Sequence, residues 1–235
     1  PTVVCRSITV AVTTGSIFVT SADIDGGTTD NCGTISLSVF PETFDCTKLG
    51  PHLISLTATD GAGNTSVCNA LVIIRDTTPP VALCKNVILP LNGSGTGSIT
   101  VASIDNGSYD NCNVLTKAIS QNNFNCSNLG PNSVTLTVTD QAGNVSTCTG
   151  TVTVVDNISP VAACKNIAVT LTGGTVTITS ADIENGSTDN CAIVTRAVTP
   201  NTFDCSDVGS NIVSYTVTDA SGNSSSCLAT VDVSD

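Results

Sequence analysis

From Asn132 to Thr139 the chain alternates: Val134, Leu136 and Val138 are apolar, and the residues between them are polar. Thr149 to Val154 alternates in the same way. A period of two places every second side chain on one face, so each run predicts a strand with one face buried. Clusters of Gly, Asn, Asp and Ser separate such runs at short intervals, as turns require. No segment sustains a helical period. The pattern predicts an all-β chain.

The pattern also repeats. Pro1, Pro80 and Pro160 each stand four residues before a cysteine, at Cys5, Cys84 and Cys164. Asp30-Asn31-Cys32 matches Asp110-Asn111-Cys112 and Asp189-Asn190-Cys191. Phe44-Asp45-Cys46 matches Phe124-Asn125-Cys126 and Phe203-Asp204-Cys205. Thr59-Asp60-Gly61-Ala62-Gly63-Asn64 matches the segments beginning at Thr139 and Thr218, and the last cysteines are Cys68, Cys148 and Cys227. Boundaries at 1–76, 77–156 and 157–235 follow. About seven short strands in each repeat fit an immunoglobulin-like β-sandwich. The links Asp76-Thr77-Thr78-Pro79-Pro80 and Asp156-Asn157-Ile158-Ser159-Pro160 are short and stiffened by proline. The expected architecture is three tandem immunoglobulin-like β-sandwich repeats in an extended rod. The chain starts and stops at the linker phase, as expected of a window from a longer array.

Composition narrows the function. Aromatic residues are 3% of the chain, Trp and Met are absent, and the net charge is -12. That charge argues against a nucleic-acid partner, which needs a Lys/Arg surface. No stretch is long and apolar enough to span a membrane. A Ser/His/Asp triad would have to use His52, which the other repeats lack. Asp25 with Asp30 could imitate a glycosidase dyad, but that pair recurs in every repeat with no aromatic cleft beside it. No catalytic role is expected.

Twelve cysteines without a CxxC motif indicate disulfides and an oxidising compartment rather than zinc. Repeats of this size with few aromatics bury thin cores, which disulfides would reinforce. Four cysteines allow three pairings. First with fourth is expected because the first and last strands of such a sandwich are neighbours; second with third would close a short loop. The expected bonds are Cys5–Cys68, Cys32–Cys46, Cys84–Cys148, Cys112–Cys126, Cys164–Cys227 and Cys191–Cys205.

The acids are placed rather than scattered. Residues 77–156 contain only four: Asp105, Asp110, Asp140 and Asp156. Asp105 corresponds to Asp25 and Glu184, Asp110 to Asp30 and Asp189, Asp140 to Asp60 and Asp219, and Asp156 to Asp76 and Asp235. Two loops at one end of the sandwich carry the first three, and the preceding link brings the fourth. Four carboxylates meeting at one junction would repel one another. A hard cation with six to eight oxygen ligands, Ca²⁺ before Mg²⁺, resolves that repulsion. The expected ligands are Asp25, Asp30, Asp60, Asp76, Asp105, Asp110, Asp140, Asp156, Glu184, Asp189 and Asp219. Asp25, Asp30 and Asp60 lack an upstream acid and should bind more weakly. Such an ion would fix the angle between repeats, and its removal should leave folded beads on a flexible string.

The opening Pro-x-x-x-Cys, the Asp-Asn-Cys, the Thr-Asp-x-x-Gly-Asn and the final cysteine before an alternating strand together resemble HYR-type immunoglobulin-like repeats. The resemblance runs along the whole chain, and the second cysteine pair is similar to bacterial versions in giant adhesins and surface filaments of gliding bacteria. It implies an extracellular location on the bacterial surface and a structural stalk in an adhesin or filament. Neighbouring repeats would be the main partners, with surface glycans or other copies of the filament beyond them. The alternative function is a calcium-dependent glycan-binding array. Against it, only Tyr109 and Tyr215 could offer an aromatic sugar platform, and neither recurs. Phe44, Phe124 and Phe203 do recur and are expected in the core.

Overall fold

The computed structural model describes Pro1–Asp235 throughout. It is all-β, with three tandem sandwich repeats. In the first repeat the strands are β1 (Ile8–Ala11), β2 (Ser16–Phe18), β3 (Ile35–Phe40), β4 (Thr43–Asp45), β5 (Gly50–Asp60) and β6 (Thr65–Arg75). One sheet has the order β1-β6-β5-β3, with β1 parallel to β6, and β2 pairs with β4 in a second sheet. The second repeat uses β7 (Val87–Pro90), β8 (Thr96–Ser98), β9 (Val114–Ile119), β10 (Asn123–Asn125), β11 (Gly130–Asp140) and β12 (Val145–Val155) in the same plan. The third uses β13 (Ile167–Thr170), β14 (Thr175–Thr177), β15 (Ile193–Thr199), β16 (Thr202–Asp204), β17 (Gly209–Asp219) and β18 (Ser224–Ser234).

Alternation decides which faces are buried. Along β5, Ile54, Leu56 and Ala58 are fully buried, while the residues between them are more exposed. Ala70, Val72 and Ile74 of the antiparallel β6 join the same core. Phe44 and Phe203 are core residues of the first and third repeats, and Phe124 is equally buried. Each such side chain contributes about 1.5–3 kcal/mol through burial.

Two details differ from the sequence expectation. Each repeat has six strands rather than seven, because the segment before the first strand makes only isolated bridges, such as Thr2 with Thr29 and Cys5 with Asp25. Each repeat also has one α-helical turn, α1 (Ser21–Ile24), α2 (Val101–Ile104) and α3 (Ser180–Ile183), and one 3-10 turn, at Cys46–Lys48, Cys126–Asn128 and Cys205–Asp207. Four residues are too few to show a period. In α1, Thr20 and Asp23 form a capping box that closes the turn.

Contacts divide the chain into two compact units: Pro1–Lys85 with Ile104–Ser120 and Thr135–Thr149, and Asn86–Ser103 with Gln121–Val134 and Gly150–Asp235. The first contains the whole first repeat with the leading end of the second. The other contains the whole third repeat with the trailing end of the second.

Candidate metal centres

Every disulfide lies within one of those units. Cys5–Cys68, Cys84–Cys148 and Cys164–Cys227 form as expected. The expected bonds Cys32–Cys46, Cys112–Cys126 and Cys191–Cys205 do not form. Instead Cys46 pairs with Cys112 and Cys126 with Cys191, so each bond joins one repeat to the next, and Cys32 and Cys205 are free and exposed. The physical reason lies in β3, whose six residues run between Cys32 and Cys46. At about 3.3 Å per residue a strand of that length spans roughly 20 Å, whereas a disulfide needs its Cα atoms within about 7 Å. In the bonds that form, the Cα atoms are 5.1 and 5.4 Å apart.

The same two junctions gather carboxylates. Asp140 ends β11 and begins the Thr-Asp-x-x-Gly-Asn turn. Gly143 takes a positive φ of 92°, which glycine alone adopts without cost. That reversal returns the Asn144 N–H to Asp140 Oδ1 at 2.8 Å, and the Asn144 amide donates to Asp140 Oδ2. Its amide also donates to the Asp76 carbonyl at 3.2 Å, which ties the link to the loop. Asp110 opens an Asx turn: its Oδ2 accepts from the Cys112 N–H at 2.8 Å. Asp76, in the link after β6, accepts from the Thr78 N–H and from the Asn111 side chain through Oδ1.

One carboxylate oxygen from each of Asp76, Asp110 and Asp140 lies within 4.8 Å of the others, and Asp156, Asp189 and Asp219 repeat the arrangement. Asp76, Asp140, Asp156 and Asp219 are at most 5% exposed. Six buried side-chain oxygens have no partner: Asp76 Oδ2, Asp110 Oδ1 and Asn111 Oδ1 at one junction, and Asp156 Oδ2, Asp189 Oδ1 and Asn190 Oδ1 at the other. The three ion pairs in the chain involve none of these atoms. Buried polar atoms without partners are costly, and charged ones more so. Two sets of three in equivalent places are therefore not incidental.

The first-repeat counterpart differs. Asp30 and Asp60 keep their turns through Cys32 and Asn64, but Asp30 Oδ1 faces the Pro1 ammonium at 3.2 Å. The Cys32 N–H and then that ammonium hold the Asp30 carboxyl below its ordinary value. Asp235, at the far end of the chain, is exposed.

Asp25, Asp105 and Glu184 do not join the clusters. Their backbones bridge to Cys5, Cys84 and Cys164, and their side chains accept from Thr28, Ser108 and Ser187 three residues on. Asp105 is also paired with Lys117 at 2.5 Å, and Glu184 with Arg196 and the Tyr215 hydroxyl. Burial raises the Asp105 carboxyl, but Lys117 and Ser108 outweigh it and hold it at about 2. Glu184 is likewise raised by burial and lowered more strongly by Tyr215, Ser187 and Arg196, to about 2. All three acids close a loop, and Asp105 and Glu184 also answer a cation on the neighbouring strand. Sequence reading also passed over Asn111 and Asn190 as oxygen donors, although the Asp-Asn-Cys recurrence carried the signal. Of the two tyrosines, Tyr109 is exposed and Tyr215 fully buried.

Residues 75–154 match the HYR domain. The second repeat is a HYR domain. The first and third repeats carry the same landmarks and are similar to it. Over 209 residues, 83% of its length, the chain is 32% identical to hyalin of the sea urchin Strongylocentrotus purpuratus, and spans 17% of that protein. Over 218 residues, 87% of its length, it is 30% identical to hyalin of Lytechinus variegatus, and spans 41% of it. The chain thus spans less than half the length of either relative. Among solved structures it is similar to an I-band fragment of titin, with 12% identity and a TM-score of 0.40 over 99% of this chain and 97% of that one. It is also similar to protocadherin gamma B7 extracellular cadherin domains 1–4, with 12% identity and a TM-score of 0.35 over 85% of this chain and 66% of that one.

Proposed function

We propose that these HYR-type repeats form a load-bearing segment of an extracellular adhesive stalk, with no catalytic role. In this reading each complete junction is locked twice, by a disulfide between repeats and by a calcium ion. The observation that carries it is the pair of clusters of unpartnered buried oxygens, each built from a link carboxylate, two loop carboxylates and an asparagine carbonyl. Asp76, Asp110, Asp140 and Asn111 would hold one ion, and Asp156, Asp189, Asp219 and Asn190 the other. A bound calcium would supply positive charge to three converging carboxylates and coordination to the orphaned oxygens. The donors fit: all are oxygen, they come from irregular loops, and a flexible coordination shell of six to eight suits calcium better than magnesium.

Five disulfides support an oxidising, extracellular setting. The bacterial surface rests on the second cysteine pair alone, because the relatives found are sea-urchin proteins. Disulfides between repeats also change the expected effect of chelation: loosening a junction fully would require a reductant as well.

Isothermal calorimetry of the 235-residue chain with calcium chloride tests the metal. Two sites per chain are expected, both lost in the D110N/D189N variant, which keeps the shape and removes one charge from each cluster. Absence of binding up to millimolar calcium, with no shift in thermal unfolding, would sink the reading.

A further inference from the structure

An open groove of about 730 Å³ lies at the link between the first and second repeats, within the first compact unit. The alternation of β6 continues into that link. Ile74 and Asp76 are buried, whereas Ile73 is half-buried and Arg75 exposed. Pro51 of β5 pairs with Ile73 and gives the groove an apolar wall. Thr77 of the link and Gln141 of the turn after β11 add polar side chains, and Arg75 adds the one cation.

That cation is unanswered. Arg75 enters none of the chain's three ion pairs, although acids outnumber Lys and Arg by 19 to 7. The neighbouring Asp76 is committed elsewhere: its Oδ1 accepts from the Thr78 N–H and the Asn111 side chain, and its Oδ2 is one of the orphaned oxygens of the metal cluster. The second junction has the same three carboxylates but not this groove chemistry. There Val155 stands in place of Arg75, Thr153 in place of Ile73 and Ala220 in place of Gln141.

We propose that the groove binds a uronic-acid residue of an acidic polysaccharide, with Arg75 taking the sugar carboxylate. The proposal rests on calcium at the junction, because three uncompensated carboxylates behind Arg75 would repel an anion. A guanidinium presents a planar fork that matches a carboxylate through two parallel hydrogen bonds. Thr77 and Gln141 supply donors and acceptors for the ring hydroxyls. Pro51 and Ile73 offer an apolar surface to the C–H face of the ring. The volume falls in the range of small-ligand sites, roughly 300–1,000 Å³. A peptide strand fits less well, since strand addition needs a free sheet edge and β6 is flanked by β5 on one side and β1 on the other. A neutral sugar would leave Arg75 without a partner.

The test is an NMR titration of the isotope-labelled 235-residue chain with methyl galacturonoside in excess calcium, with methyl galactoside as the neutral control. The uronide should shift the Arg75 and Gln141 signals and leave those of Val155 and Ala220 in place; the neutral sugar should shift neither set. R75V installs the second junction's residue at an exposed strand position, and unchanged thermal unfolding verifies that it folds. It should bind the uronide at least tenfold more weakly while calorimetry still counts two calcium ions. V155R/A220Q should bring uronide shifts to the second junction. A chelator should abolish binding. The proposal is overturned if the neutral sugar binds as tightly as the uronide, if R75V binds like the parent, or if binding persists unchanged in chelator. Two calcium ions with no uronide shifts would overturn the sugar site and leave the metal standing, whereas a chain that binds no calcium would lose both.

Discussion

The leading ends of the first and second repeats carry the same side chains in the same turns, yet they are in different chemical states. Ahead of the second repeat, Asp76 and Cys46 arrive from the preceding sandwich; Cys112 is bonded and buried, and Asn111 reaches Asp76 and the Val12 carbonyl. At the first repeat, by contrast, Cys32 and Asn31 are exposed, and Asp30 Oδ1 faces the Pro1 nitrogen. The loops are thus built by their own repeat, while the cluster is completed only by the one before. Half of each junction is local structure, and half is supplied by a neighbour.

The largest expected effect breaks the covalent half. The Cys46–Cys112 bond closes a sequence separation of 66 residues, worth roughly 4 kcal/mol in the chain-entropy account. The C46S/C112S variant should lose most of that in the transition that melts the first unit, measured by scanning calorimetry. C32S should stay within about 0.5 kcal/mol of the parent, as expected of an exposed, unbonded residue. Equal melting of both variants would mean that the inter-repeat bond does not hold the two repeats together.

Next in size is the carboxylate from the link. In D76N the junction ahead of the second repeat keeps Asp110 and Asp140 but loses one of three negative charges, and so approaches the first repeat's state. Calorimetry should then count one calcium site per chain instead of two, the altered site weakening by tenfold or more, about 1.4 kcal/mol. D30N should leave the count at two. Were D76N to bind two ions as tightly as the parent, the link would not be part of the site.

The sequence carried the strands, the repeats and the first-to-fourth disulfides because each follows from local alternation or from neighbouring strands. It also carried three of the four acids at each junction. It failed where the answer depended on distance across a sandwich. Cys32 and Cys46 are close in sequence, but β3 separates them, and nothing in the spacing says that Cys46 faces another repeat. It failed again where a charge had a competing partner. Asp105 recurs in register like a ligand, but Lys117 lies on the neighbouring β9, and Ser108 completes its turn. Recurrence identifies a constrained position without naming the constraint.

That competing partner gives the smallest effect. Asp105 has its carboxyl at about 2 in the folded protein against an ordinary 3.8. A lowered folded value means stability that is present above about pH 4 and lost as pH falls towards 2. The Lys117 side chain is still 25% exposed, so solvent screens the pair and its share is of the order of 1 kcal/mol. In K117M that pH-dependent share should shrink, and the Asp105 carboxyl, followed by NMR, should titrate nearer its ordinary value. The first repeat offers the reverse experiment. There β3 has Leu37 paired with Ala58, where β9 has Lys117 paired with Val138. Asp25 is held down mainly by the Thr28 hydroxyl, followed by the Thr28 N–H. L37K should lower the Asp25 carboxyl further and add acid-sensitive stability to the first repeat. If neither substitution moves its carboxylate, the recurring acid is held by its turn alone, and the strand cation opposite it has no part in the difference between repeats.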